Sequence, residues 1–450
     1  MKDSPYVGPV PFGRDDAPFF AGRDVEATEL TALIKAHCLT ILYAPSGAGK
    51  TSLLNALVVP RLEQEYCEVA PIARVAGAQS TETGIHPVLR LDGPAPENRN
   101  PFAENLHASL DPKASVSGAD AVESIARLLA AAPMEHADEM PRLHVVIIDQ
   151  FEELFTKYPE SWVHRRVLLQ TIATAIEAQP ALSVVLSMRE EYVPALEPLL
   201  AELVFRTQRR FRLPLLGPEQ AAAAIREAAA KREVEFLADA VKLQVKQLRG
   251  RSAIAGREPT LYEFNEFIEP ITLQIVCRRI WAALPEDAKQ IDIKIVEEVG
   301  RVDAALEAYF DECISAASRT LAQPEWKLRA FVQSNLIDAR NQRRLFNPNS
   351  LVEEAARFVA ALEERRILRP EVRHDETSYE LAHDQFVPAI LRSNAAQKGA
   401  LDALLVVARR WKRWGGRRTS CCPRSRSNLR GSGWDKTTRT DSLVRSCVDT

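Results

Sequence analysis

The feature that most restricts the fold of this chain is a glycine-containing segment between an apolar run and a helix-like stretch. Leu39–Tyr43 is apolar apart from Thr40, and Ala-Pro-Ser-Gly-Ala-Gly-Lys-Thr follows at positions 44–51. The segment matches the phosphate-loop pattern G-x-x-x-x-G-K-[ST], except that Ala44 replaces the first glycine. Such a loop joins a buried strand to a helix. The sequence therefore predicts an α/β domain with this loop at the carboxyl end of a strand.

The residue types in the loop fit the binding of a nucleoside triphosphate. Gly47 and Gly49 allow successive backbone N–H groups to turn toward phosphates, and the N-terminus of the following helix adds partial positive charge. Lys50 can reach the β- and γ-phosphates, and the Thr51 hydroxyl can ligate Mg²⁺. The residues predicted to contact ATP or ADP are Ser46, Gly47, Ala48, Gly49, Lys50, Thr51 and Ser52.

A second apolar run, Val145–Ile148, ends in Asp149. Continuous apolar runs are typical of parallel strands that helices cover on both faces. An Asp at the end of such a strand lies beside the phosphate loop and can hold Mg²⁺ through its water shell. Glu152 and Glu153 follow, and either can activate water as a general base. Two acids also suit an ordinary first helical turn, and the sequence does not decide which glutamate is the base.

The segment Ile148–Phe155, which reads Ile-Asp-Gln-Phe-Glu-Glu-Leu-Phe, resembles the Walker B signature of the STAND NTPases (signal-transduction ATPases with numerous domains). It is most similar to the bacterial group called novel STAND NTPase 1. The resemblance spans roughly residues 5–395. The other segments that carry it, in the order that the family shows, are Pro5–Pro9, Phe19–Asp24, Leu186–Tyr192, Glu269–Val276 and Tyr379–Asp384.

The resemblance implies an ATPase of slow turnover that switches between a closed ADP form and an open ATP form. It also implies nucleotide contacts outside the loop. Arg23, in a Gly-Arg-acid motif, is expected against the base, and His383 is expected to face the bound diphosphate. The added contacts are Arg23, Pro270 and His383.

Several arginines allow two interpretations. Arg189 either senses the γ-phosphate, as the resemblance implies, or is a surface arginine paired with Glu190 or Glu191. A second group either offers an arginine finger to a neighbouring subunit or forms a charged approach to an edge strand, and the second interpretation is favoured. This group comprises Arg206, Arg209, Arg210 and Arg212.

The order of strand and helix signals predicts a doubly wound parallel sheet, followed by a helical domain and a winged-helix domain. The expected parts are an N-terminal segment (1–21), a P-loop NTPase domain (22–217), a helical lid domain (218–322), a winged-helix domain (323–395) and a C-terminal helix with a basic tail (396–450). Further predicted strands are Val184–Leu186, Arg212–Leu216 and Tyr379–Leu381, the last after a polar turn at Arg373–Ser378. Further predicted helices are Ala119–Ala132, Pro218–Lys231 and Ile295–Ser315. Another is predicted from the spacing of Leu168, Ile172, Ala175 and Ile176.

Charge is distributed unevenly along the chain. From Arg409 onward there are 12 Lys and Arg against 3 Asp, a net charge of +9, whereas the whole chain carries −3. The rest therefore carries about −12, which argues against a general nucleic-acid-binding surface. The abrupt change at Arg409 predicts either a truncation followed by out-of-frame translation or a basic tail for nucleic acid or anionic lipid.

The chain is expected in the cytoplasm and not in a membrane. It has no apolar signal segment at its start, and no uncharged apolar stretch reaches the roughly 20 residues of a spanning helix. Four cysteines lie far apart without metal-ligand spacing, and they are expected to be reduced core thiols. They are Cys38, Cys67, Cys277 and Cys313.

The resulting hypothesis is an ATP-dependent switch that self-associates when ATP binds and acts on protein sensors or effectors not identified by the sequence. One alternative is a DNA-binding initiator-like ATPase that uses its winged helix. Against it, the expected recognition stretch, Leu351–Ala356, contains two acids that would repel phosphate. Another alternative is a nucleotide-binding scaffold that does not hydrolyse ATP.

Overall fold

The structure is a computed structural model, and its contacts divide the chain into two units, residues 1–389 and 390–450. The described residues of the second unit, 390–398, are helical. All elements below belong to the first unit. The residues that the structure describes are 3–75, 99–113, 120–130, 142–156, 162–203, 205, 207–249, 267–347, 353–373, 376–382 and 385–398.

The centre of the first unit is a parallel sheet, five-stranded within the described residues. Its strands are β1 Leu39–Ala44, β2 Glu68–Val69, β3 His144–Ile148, β4 Leu182–Arg189 and β5 Gln208–Arg212. They lie in the order β2-β3-β4-β1-β5, and every neighbouring pair is parallel. The strand before the glycine loop, β1, is therefore an interior strand. The predicted strands at Leu39–Tyr43, Val145–Ile148 and Val184–Leu186 are confirmed.

Helices cover both faces of this sheet. They are α1 Asp24–Ala36, α2 Lys50–Leu53, α3 Val59–Gln64, α4 Pro101–Leu110, α5 Asp120–Ala130, α6 Glu153–Thr156, α7 Trp162–Ala178 and α8 Val193–Ala201. A π-helical segment, Leu54–Val58, joins α2 to α3. Alternate residues of β3 belong to different cores. Val146 and Ile148 pack with residues of α4, α5, α7 and α8, whereas Val145 and Ile147 pack with residues of α1 to α3. The doubly wound α/β fold is confirmed.

The helix predictions in this part also hold. Leu168, Ile172, Ala175 and Ile176 are all buried on α7, and α5 lies within the predicted Ala119–Ala132. These positions recur at three- and four-residue spacing, so one face of α7 packs on the sheet. Most of the rest of residues 78–142, which the sequence suggests is an insertion in the NTPase domain, lies outside the described residues.

One predicted strand, Arg212–Leu216, is wrong because β5 already ends at Arg212. The next residue still pairs with β1, but Pro214 has no N–H to continue the ladder. Leu216 pairs with Ile268 instead. The mostly polar sequence of β5 conceals it from a search for apolar runs, because it is an edge strand with exposed side chains.

The next part is mainly helical. Its elements are α9 Pro218–Ala230, β6 Glu235–Phe236, α10 Ala238–Leu248, α11 Pro270–Ala282, β7 Gln290–Ile291, α12 Ile293–Val299 and α13 Val302–Leu321. The prediction at Pro218–Lys231 is confirmed. The single helix predicted at Ile295–Ser315 is wrong, because Gly300 interrupts it. A Cβ at Gly300 would lie 2.7 Å from the backbone oxygen of Val296 and 2.6 Å from Gln244 Oε1 of α10, so the break leaves little room for a side chain.

The last described part contains α14 Glu325–Leu336, α15 Glu353–Glu364, and an antiparallel hairpin of β8 Leu368–Arg373 with β9 Glu376–Leu381. The predicted strand Tyr379–Leu381 is confirmed. The predicted turn Arg373–Ser378 is too long, since most of it belongs to the two paired strands; residues 374–375 lie outside the described residues. The winged-helix assignment and the domain boundaries stay predictions.

The conformation of Gly22 gives a test of how α1 is anchored. Its φ is +81°, and an added Cβ would lie 2.3 Å from the backbone oxygen of Gln220 at the start of α9. Gly22→Ala is expected to lower the free energy of unfolding by about 1–3 kcal/mol, measured by chemical denaturation. Gly13→Ala is the matched control, because its nearest atom, Asp16 Oδ2, would be 3.6 Å away. Equal destabilisation by the two substitutions would contradict this account.

Candidate functional site

The glycine loop between β1 and α2 has the backbone conformation that its sequence demands. Gly47 and Gly49 have φ values of +79° and +95°, a region that side chains strongly disfavour. A Cβ at Gly49 would meet no atom within 4 Å. Glycine is therefore needed there for its backbone angle and not for lack of space. Gly49 is the N-cap of α2, so the loop ends at a helix N-terminus.

Lys50, the first residue of α2, lies at the wall of the cavity above the loop, here called the P-loop cavity. Its ammonium donates a 3.4 Å hydrogen bond to the oxygen of Ala44. Burial lowers the pKa of Lys50, whereas the carboxylates of Glu152 and Asp149 act in the opposite direction. Because desolvation disfavours the charged ammonium, a bound anion would stabilise it.

Asp149 follows the end of β3 and is only 2% exposed. Thr51 Oγ1 donates to its Oδ2 at 2.6 Å, and Ser187 Oγ donates to its Oδ1 at 2.6 Å. The first contact joins the two predicted metal-binding residues. Ser187 was not predicted, although a serine inside the apolar strand β4 beside β3 was a usable signal. These contacts fix the carboxylate between the glycine-loop helix and the sheet.

The oxygen donors of this pair fit Mg²⁺. A carboxylate and a hydroxyl are hard ligands, and Mg²⁺ in nucleotide sites takes one or two protein oxygens together with phosphates and water. The pair therefore needs no larger cluster of ligands. In the described part of the chain, no group of three or more His, Cys, Asp or Glu residues has the arrangement of a metal site.

Glu152 and Arg189 form a pair at the polar end of the P-loop cavity, and both line it. The backbone N–H of Arg189 donates to Glu152 Oε2 at 3.2 Å, and its Nε lies 3.2 Å from Glu152 Oε1. The Arg189 side chain is 16% exposed. The structure therefore gives Arg189 a partner that neither sequence-based interpretation included, and Glu190 instead pairs with Arg212 at 3.0 Å.

Glu153, the neighbour of Glu152, faces a different group. Arg74 Nη2 contacts Glu153 Oε1 and Gln150 Oε1, and Arg74 Nε donates to Glu153 Oε2 at 3.3 Å. Glu153 lines a second, adjoining cavity and is not part of the P-loop cavity wall. The structure thus separates the two candidate bases, and only Glu152 shares a cavity with Lys50. Arg74 was missed because nothing in the local sequence identifies its partner.

Arg23 lies beneath the loop and is 2% exposed. Its guanidinium pairs with Glu26 at 2.7 Å and donates to the backbone oxygens of Pro214 at 2.7 Å and Ala48 at 3.3 Å. Burial lowers the pKa of Arg23, and the Glu26 carboxylate opposes that shift. Arg23 also lines the P-loop cavity. It therefore connects α1, the glycine loop and the end of β5, while its predicted contact with the base stays a prediction.

The other end of the P-loop cavity is apolar. Pro270, the first residue of α11, lines it together with residues of the N-terminal segment. That segment is tied to the loop helix, because the N–H of Phe12 donates to Ser52 Oγ at 3.1 Å. It is also tied to α9, because the Tyr6 hydroxyl donates to the Ile225 oxygen at 2.6 Å. The remaining apolar lining residues include Phe19, Phe20, Leu216 and Leu273.

Some predicted residues cannot be placed or do not reach the site. His383 and Arg206 lie outside the described residues. Arg210 pairs with Glu197 at 2.6 Å on the exposed edge of β5, which fits the charged-edge interpretation of the arginine group. The arginine-finger alternative stays untested. The four predicted core cysteines are free and buried, and no described helix is long and apolar enough to cross a membrane.

The glycine loop follows an interior parallel strand, and Thr51 at its end is hydrogen-bonded to Asp149. These features define a P-loop NTPase. A family profile described as novel STAND NTPase 1 matches residues 5–396. The chain belongs to the novel STAND NTPase 1 family, which confirms the resemblance seen in the sequence. Among curated proteins, none matches the sequence.

Two solved structures illustrate more distant likeness. The Walker-type ATPase PABY2304 of Pyrococcus abyssi is 14% identical with a TM-score of 0.42, and the match covers 85% of this chain and 98% of that one. The ORC2 protein of Aeropyrum pernix in its ADP form is 12% identical with a TM-score of 0.39, covering 84% and 95%.

Proposed function

We propose that this NTPase is an ATP-binding, slowly hydrolysing signal-transduction switch that cycles between a closed ADP form and an open ATP form. The observation that carries the proposal is that one cavity collects residues from every part of the first unit. Phe12, Lys50, Pro270 and Arg366 all line it, from the N-terminal segment, the glycine loop, α11 and the turn before β8. A nucleotide bound there would contact all of these parts.

Such a shared cavity is what a switch requires. A ligand shifts a conformational equilibrium only as far as its affinities for the two states differ. A nucleotide that contacts four separate segments of the chain binds with an affinity that depends on how these segments are arranged. The γ-phosphate adds charge and volume at the polar end of the cavity, where Glu152, Arg189 and Arg366 meet. ATP and ADP are therefore expected to favour different arrangements.

The residues also allow hydrolysis. The loop N–H groups and Lys50 bind phosphate, and Thr51 and Asp149 would hold Mg²⁺, which when bound neutralises charge that develops on the phosphates. Glu152 orients and deprotonates the attacking water. In the arrangement described here, Arg189 engages both oxygens of Glu152. Slow turnover is expected, because the Arg189 side chain must leave Glu152 Oε1 before that oxygen is free to accept a proton from water.

The same proposal accounts for binding to partner proteins. Opening of the first unit in the ATP form would expose surfaces for self-association and for sensor or effector proteins. The presence of an ion-paired general-base candidate supports a switch that hydrolyses ATP over a scaffold that only binds it.

The proposal is tested on the full chain in two steps. Calorimetry with ADP and with a non-hydrolysable ATP analogue should first show that both nucleotides bind. Hydrogen exchange should then show that ADP protects the backbone amides of α15, β8 and β9 more than the ATP analogue does. Binding with equal protection by the two nucleotides would contradict the switch and favour the non-switching scaffold. Absence of binding would overturn the proposal as a whole.

A further inference from the structure

Arg366 lies at the polar end of the P-loop cavity, and no sequence motif indicates this position. It lies in the turn between α15 and β8, far along the chain from the glycine loop. It lines both the P-loop cavity and the adjoining cavity that contains Glu153. Ser46 and Gly47 of the loop also line both cavities. Arg366 is therefore placed where the two cavities meet beside the phosphate-binding backbone.

The other arginines around Arg366 each form an ion pair with a carboxylate. Arg74 pairs with Glu153 and Arg189 pairs with Glu152. Within the described part of the chain, no carboxylate forms an ion pair with Arg366. Arg369, a fourth arginine of the adjoining cavity, pairs with Glu380. Glu363 lines that cavity too and acts on Arg366 electrostatically without an ion pair. Because Arg366 alone among these four arginines has no ion-paired carboxylate within the described residues, an anion beside it would relieve the repulsion from Arg74 and Arg189.

Electrostatic effects on Arg366 agree with this geometry. Although Arg366 keeps exposed surface, partial desolvation lowers its pKa, and the guanidinium groups of Arg74 and Arg189 lower it further. Tyr309 and Glu363 oppose the shift. A bound phosphate would act on this pKa in the opposite direction, because it favours the charged guanidinium.

The backbone fixes Arg366 in this position. Its φ is +58°. The N–H of Arg366 donates to the Glu363 oxygen at 2.9 Å, and the N–H of Ile367 donates to the Leu362 oxygen at 3.0 Å. These two bonds form the Schellman motif that ends α15, in which glycine is the preferred residue. A glycine at this position would therefore keep the turn and remove only the side chain.

We infer that Arg366 binds the terminal phosphate of ADP in the P-loop cavity and so couples the α15–β8 turn to the nucleotide. This inference rests on the proposed function, because it requires ADP to bind at the glycine loop. The guanidinium would donate charge-assisted hydrogen bonds to the phosphate, with Lys50 on the loop side. Release of ADP would then free the turn from the loop.

The test compares ADP and AMP affinities of Arg366→Gly and the wild type by calorimetry on the full chain. ADP affinity is expected to fall about 10- to 100-fold, as for the loss of one charge-assisted contact. AMP affinity is expected to change little, since AMP lacks the terminal phosphate. Arg366→Lys is expected to restore part of the ADP affinity, because it retains the charge without the planar fork.

Two controls separate the side chain from the backbone and from general charge. Glu233 occupies the same kind of turn, with φ +57° and bonds from Glu233 N to Ala230 O and from Val234 N to Ala229 O. Glu233→Gly should match the stability effect of Arg366→Gly and leave ADP affinity unchanged. Arg365→Gln removes the neighbouring arginine, which pairs with Glu364 and is not part of the cavity wall, and should also leave ADP affinity unchanged.

The outcomes distinguish this inference from the proposed function. If the wild type binds ADP and Lys50→Ala weakens that binding, the nucleotide site stands. Unchanged ADP affinity in Arg366→Gly would then overturn the role of Arg366 alone, and so would an equal loss for ADP and AMP. If the wild type does not bind ADP, both the proposed function and this inference fail.

Discussion

Glu152→Gln is expected to lower kcat for ATP hydrolysis by about 10²- to 10⁴-fold, the range for loss of a general base, while ATP affinity changes little. The reason is positional. Glu152 lines the same cavity as Lys50 and lies at its polar end beside Arg189. The amide keeps the shape of the side chain but cannot accept the proton of the attacking water. Single-turnover hydrolysis and equilibrium binding of ATP measure the two quantities separately.

Glu153→Gln is the matched control for this prediction. Glu153 differs from Glu152 by one position, and it pairs with Arg74 in the adjoining cavity. Its substitution should weaken that ion pair and reduce stability, with a much smaller effect on kcat. If Glu153→Gln abolished hydrolysis and Glu152→Gln did not, the two roles would be reversed. If neither slowed hydrolysis, this motif would not organise the chemistry.

The sequence predicted the centre of the fold well because that part depends on local signals. The strands β1, β3 and β4 are continuous apolar runs, and such runs have few alternatives once helices cover both faces of a sheet. The positions of Gly47 and Gly49 follow from backbone angles that other residues avoid. The strand β5 was misplaced because an edge strand needs no apolar run. The break at Gly300 was missed because a single glycine inside a helical pattern does not by itself end a helix.

The pairing of charges in the site could not be predicted in the same way. Glu152 lies in the turn before α6, and Glu153 is the first residue of that helix. Glu152 lines both cavities whereas Glu153 lines only the adjoining one, and their partners, Arg189 and Arg74, come from separate segments. Arg366 illustrates the limit most clearly, because only the fold brings the turn after α15 beside the glycine loop. Motifs identified the chemistry of the site, whereas tertiary structure determines which charges meet there.

Lys50→Ala is expected to weaken binding of both ATP and ADP by about 10- to 100-fold in calorimetry. Charge-assisted hydrogen bonds contribute roughly 1.5–3 kcal/mol each, and every 1.4 kcal/mol changes affinity about tenfold. In the structure the ammonium donates to Ala44 O at 3.4 Å, a long contact for a cation. A phosphate oxygen is a stronger partner, so much of the interaction of Lys50 is realised only when nucleotide binds.

Without nucleotide, Lys50→Ala is not expected to destabilise the protein. Burial lowers the pKa of Lys50, which means that the fold holds this ammonium at a desolvation cost. Lys50→Ala should therefore leave Tm without nucleotide unchanged or higher, and it should remove the rise in Tm that ADP gives the wild type. Lys35→Ala is the control, since Lys35 pairs with Glu65 at an exposed position. A Lys50→Ala protein that keeps wild-type affinity would remove the glycine loop from the nucleotide site, whereas lost affinity with a lowered Tm would show that Lys50 acts on the fold.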